Sequence, residues 1–223
     1  MEATFPHLPG WRNASFWLEG QAIAAKRSIS GAETISPTMR GRWSMSGEVV
    51  VHGEAAYLQW QAFLAQMQGQ IGTTLVPAIS RFRPKDGDGL NTPFDIGAGF
   101  AGAQTWEHFA IQAAIPARVT LAAAAALRAT ELRLTLSDTT GIRPGQFFSI
   151  GERLHRVQAH WQTGETAHRV LIEPPLRAAA AAGTRLEIER PVCRMRFASE
   201  TEGLFDQSLD VLPQVTVNLV EAL

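Results

Sequence analysis

Six histidines, His7, His52, His108, His155, His160 and His168, are the first groups to weigh for chemistry. None stands in a His-x-x-x-His pair or a His-Glu-x-x-His helix, the spacings that turn two imidazoles toward one zinc ion. The gap between His155 and His160 is odd, which predicts opposite faces of an extended segment. No metal is expected from them. Asp86 and Asp88 alternate in a glycine-rich loop, as calcium ligands would. Leu90, however, takes the third donor position, and Gly97 stands where a bidentate Glu is needed. Gly97 to Gly102 spells Gly-x-Gly-x-x-Gly, but a nucleotide fold needs a strand before it and a helix after it. Here a Pro-containing loop precedes it and an extended stretch from Gln104 follows.

There is no Gly-x-Ser-x-Gly elbow and no phosphate-binding Gly-x-x-x-x-Gly-Lys loop. The single cysteine, Cys193, alternates with Met195 and Phe197 and reads as a small core residue. Alone it excludes an internal disulfide or a thiolate cluster within one chain. Carboxylates occur singly. The expectation is a chain with no catalytic residues, no metal and no cofactor. What remains is a set of aromatics, and six tryptophans are many for this length. Trp43 and Trp60 read as core. Trp11, Trp17 and Trp161, with Phe94 and Phe100 in the long loop, are the candidates for subunit-interface or glycan contacts.

Trp43, Met45, Val49 and Val51 alternate and predict a strand, with Gly47 as a weak point or bulge. Gln21 to Ser30 is a possible pairing partner for it. Glu54 to Gln68 is the one clear helix: Ala56, Trp60, Phe63, Leu64 and Met67 fall in one stripe, and Gly69 stands at its end. Gly72 to Pro77 reads as a strand, 80–104 as a long irregular loop, and Thr105 to Val119 as extended. A second block of short strands follows: Leu132, Leu134 and Leu136 alternate, and Phe147 to Val157 forms a hairpin about Gly151-Glu152. Further strands lie at Val170 to Ile172 and at Leu186 and Ile188. Val215, Val217 and Leu219 alternate in a closing strand. The predicted fold is mainly β, a β-sandwich or belt domain from residues 1–118 plus 192–223, with a small β-barrel-like domain inserted at 119–191.

Length and charge narrow the function classes. A chain of 223 residues buries roughly 70% of its surface on folding, enough for a core without staples. Hydrophobic residues make up 45% and the net charge is −1, a balance that disfavours disorder. The same charge lacks the basic surplus of a nucleic-acid binder. No apolar run reaches membrane-spanning length, and the start shows no basic-then-apolar leader, so neither membrane insertion nor a signal peptide is expected.

The block Gly141 to Val157, then Ile172 to Arg177 and Gly183 to Leu186, resembles the small β module of distal tail proteins of tailed bacteriophages. Trp43 to Ser46 followed by the helix Ala55 to Met67 and Gly72-Thr73, and the end from Phe205 to Ala222, are similar to the same family. The likeness spans most of 40–223; the first 20 residues and the loop 80–104 have no counterpart in it. The resemblance implies a structural virion protein, assembled in the host bacterial cytoplasm, without enzymatic activity. It implies a ring, a hexamer in that family, joining the tail tube to the baseplate hub. The partners it implies are other copies of the chain, the tail tube protein and the hub. The competing expectations are a tail-tip module gripping a host-surface glycan through Trp161, and an enzyme acting on cell wall, which would need paired reactive groups in one cleft.

Overall fold

The computed structural model describes residues 2–6, 10–27, 29, 33–78, 80, 82, 118–137, 139, 141–204 and 214–223. The fold is mainly β, as the alternating patterns predict, and includes a nearly closed six-stranded, barrel-like sheet. The chain divides into two compact units, Met1–Pro77 with Cys193–Leu223, and Ala78–Val192. The span expected as the insertion, 119–191, falls inside the second of these. Phe94, Phe100, the Asp86–Asn91 loop and the Gly97–Gly102 motif lie outside the described residues.

The first unit is built on a six-stranded sheet in the order β1-β6-β13-β14-β5-β2. Its strands are β1 (Glu2–Ala3), β2 (Gly10–Glu19), β5 (Arg42–Val50), β6 (Thr73–Pro77), β13 (Val192–Phe197) and β14 (Gln214–Glu221). Period-two alternation turns Trp43, Met45 and Val49 of β5 and Val215, Val217 and Leu219 of β14 into the core, where all are buried. The helix α1 (Gly53–Met67) buries Ala56, Trp60, Phe63 and Met67, four of the five residues of the predicted stripe; Leu64 is half-buried. Phe63 meets Phe197 edge to face at 5.9 Å, so helix and sheet share one aromatic core. Trp60 Nε1 donates to the carbonyl of Gly203 at 2.9 Å, which lets a buried indole keep its hydrogen bond. The helix ends at Met67, two residues before Gly69: Gln68 takes the left-handed conformation, and its N–H bonds Leu64 O. Gly72 then passes so close to Met67 that a Cβ there would lie 2.6 Å from the Met67 Cα.

Small apolar residues in 21–30 suggest pairing with β5, but the described part, 21–27, does not pair with it. β2 takes that place, and β3 (Ala22–Arg27) pairs with β4 (Glu33–Pro37) in a separate two-stranded sheet. β2 leads into β3, and β4 leads into β5. Glu19 pairs with Arg42, Thr38 N donates to Gln21 O at 2.7 Å, and Ala22 pairs with Pro37. One long ribbon therefore runs out of the sheet and, among the described residues, continues as two strands only.

The second unit is the barrel, in the order β12-β7-β8-β11-β10-β9. Its strands are β7 (Arg118–Leu121), β8 (Glu131–Ser137), β9 (Phe147–Ile150), β10 (Arg153–Gln162), β11 (Ala167–Glu173) and β12 (Arg185–Leu186). The two ends of this sheet meet where Ser149 N donates to Glu187 O at 2.8 Å and Glu187 N to Ser149 O at 2.9 Å. This bridge nearly closes the sheet and covers part of its two edges. Leu121, Leu132, Leu134, Phe148, Val157, Val170 and Ile172 fill the interior and are buried. Each such side chain contributes about 1.5–3 kcal/mol by leaving water.

Candidate functional site

The predicted aromatic contacts are placed in different surroundings. Trp11 is half-buried in the first unit, stacked on Phe5 with ring centroids 5.0 Å apart, and lies over Gly47. Trp17, farther along β2, is 41% exposed, and its Nε1 donates to Glu19 Oε1 at 2.9 Å. Trp161 stands in the second unit near the end of β10 and is likewise 41% exposed. Trp11 and Trp17 thus belong to the first unit and Trp161 to the second. Cys193 is buried, in keeping with its core reading.

Trp161 instead has neighbours that spacing could not name. It pairs with Arg169 across β10 and β11, and Arg169 pairs with Arg133 across β11 and β8. Directly paired residues of an antiparallel sheet project to one side. Their flanking neighbours Leu132, Leu134 and Val170 fill the barrel interior, so Arg133, Arg169 and Trp161 form a row on its outer surface. The Arg169 guanidinium carbon sits 4.6 Å from the centroid of the Trp161 ring, a cation–π contact. Glu131 reaches Arg169 with a 3.8 Å ion pair in which both side chains are about half exposed. Such a pair is screened and holds little energy.

The histidines of the barrel share one face, contrary to the expectation of opposite faces for His155 and His160. A β-bulge between Val157 and Ala159 adds one residue to β10, so the odd gap becomes an even one in register. His155 then pairs with Phe148 and His160 with Val170, both interior residues. His155 is buried, and its Nδ1 lies 2.9 Å from Pro174 O. A carbonyl only accepts, so the proton sits on Nδ1. Desolvation lowers its pKa to about 4; the Pro174 hydrogen bond opposes this, and Arg177 and Arg153 add to it. His160 Nε2 and His168 Nδ1 are 2.8 Å apart, with ring centroids at 5.0 Å, so the rings meet at their edges. One nitrogen must donate and the other accept. Burial lowers both pKa values, and for His168 the neighbouring His160 adds to it.

Among the described residues, no group of three or more His, Cys, Asp or Glu side chains is placed to hold a metal ion. A cleft of about 590 Å³ opens beside the seam where β9 meets β12, between Arg185, Glu187, Glu189 and Arg190. Its charges are mixed. Glu187 Oε1 accepts from the backbone N–H groups of Glu189 and Arg190, at 3.0 and 2.9 Å, and so shapes the turn. Among the described residues no helix is long and apolar enough to cross a membrane.

The ribbon of the first unit is the other notable surface. Ile23 on β3, Ile35 on β4 and Met39 just beyond are 60%, 63% and 56% exposed. Large exposed apolar residues on a two-stranded ribbon are costly in water. In comparison with known proteins, no family model and no curated protein matches this chain in sequence.

Proposed function

We propose that this protein is a structural subunit that assembles with copies of itself into a ring at the distal end of a phage tail, joining tail tube to baseplate hub. The observation that supports self-assembly most is the β3–β4 ribbon. A lone hairpin is at best marginally stable in water, and this one keeps Ile23, Ile35 and Met39 exposed. Both requirements are met if the ribbon lies on a neighbouring copy. An arm seated on a different surface of the next subunit makes a head-to-tail contact, the kind that closes into a ring. The tail-tip assignment and sixfold order rest on the sequence resemblance, and in this reading the chain acts without catalysis.

Mass photometry of the purified chain over rising concentration tests the assembly. A closed oligomer is expected, and Ile23→Asp with Ile35→Asp should shift it to monomer while leaving the far-UV spectrum unchanged. A strict monomer at every concentration, alone and with tube and hub proteins added, would sink the proposal. Electron microscopy of the assembled particle, with this chain located, tests the tail-tip position.

A further inference from the structure

The geometry points to an acidic polysaccharide as the ligand of the outer barrel row Arg133–Arg169–Trp161. The inference stands apart from ring assembly, and it gives a chemical class to the glycan expected at Trp161. Two arginines placed directly opposite each other on adjacent strands repel and weaken the sheet. Glu131 answers one of them through an exposed pair; among the described residues Arg133 has no carboxylate partner. An unfavourable arrangement on an open surface is what a bound anion would relieve. Guanidinium forks suit carboxylates, which they bind through paired N–H groups.

The third member selects among anions. Trp161 has Arg169 against its ring and remains 41% exposed, so indole surface is open beside the charges. A sugar ring offers C–H groups to that surface and a uronic carboxylate to the arginines. Neighbouring strands are spaced about 4.8 Å apart, so the row is long enough for a short oligosaccharide lying across β8, β11 and β10. Two guanidiniums neutralise too few phosphates to hold a nucleic acid well.

Calorimetric titration of the full chain at low ionic strength tests this, with polygalacturonate fragments as the probe and neutral dextran of the same size as the control. Polygalacturonate should bind and dextran should not. Arg133→Gln with Arg169→Gln should weaken binding about tenfold or more, and Trp161→Ala should do likewise. Thermal unfolding separates binding from folding: the melting temperature of Arg133→Gln should be unchanged or higher, because a repulsion is removed. Repeating the titration on the Ile23→Asp, Ile35→Asp chain isolates the single-site affinity from any gain by multivalency, so the two proposals fail separately. Equal binding of dextran, or full affinity in the double arginine variant, would overturn the inference. So would tighter binding of polyglutamate or a single-stranded oligonucleotide, which would assign the row to a protein or nucleic-acid partner.

Discussion

Burial holds the His155 imidazole neutral, with its proton on Nδ1 and Phe148 against its ring. The consequence for stability has a definite sign. The folded pKa, about 4, lies below the 6.5 of an unhindered histidine. Above pH 6.5 the group is neutral folded and unfolded, and its contribution is fully present. As pH falls from 6.5 toward 4 the unfolded chain takes up the proton first, so stability drops by up to about 3 kcal/mol. His160 and His168 shift in the same direction and add to the loss. Urea unfolding at pH 7 and pH 5 should show this decline, and His155→Gln should flatten it. A decline of equal size in that variant would assign it to other groups. His155 and His168 follow the parity of their own strands, two residues from Val157 and Val170, but His160 could not be placed by counting, because the bulge at Val157–Ala159 breaks the parity between it and His155.

Between β2 and β5 the pairing relies on one missing side chain. A Cβ at Gly47 would stand 2.5 Å from Trp11 Cζ3 and 2.9 Å from the Asn13 carbonyl. Gly47→Ala should therefore push the edge strand outward and cost about 1–3 kcal/mol by overpacking. The check is a lower melting temperature together with faster amide exchange along β2; unchanged exchange there would refute it. Much at this scale was legible beforehand. The stripe of α1, the alternating leucines of β8 and the valines of β14 each declare a buried face locally. β2 was not, since its register is interrupted between Trp11 and Asn13, which spoils the alternation. Nor was the Arg133–Arg169–Trp161 row, because it exists through pairing across three strands and no one segment contains it.

At the scale of the whole chain, sequence patterning predicts an inserted domain at 119–191, and the contacts divide the molecule into Met1–Pro77 with Cys193–Leu223, and Ala78–Val192. The strand order within each sheet was not legible: β1 joins β6 and β14 lies between β13 and β5 through long-range pairings that local periodicity does not encode. One small detail of the barrel unit bears on how such a chain can change. Ala78 N donates to Pro191 O at 2.8 Å, so the polypeptide enters and leaves that unit side by side. Replacing 79–190 by a short glycine-serine turn should leave the remaining frame folded, with near-UV dichroism from Trp43 and Trp60 retained; a collapsed spectrum would show that the frame leans on what was cut away. If it holds, the middle of this protein is a cassette. Lineages could trade it for another insert without redrawing the chain on either side of it.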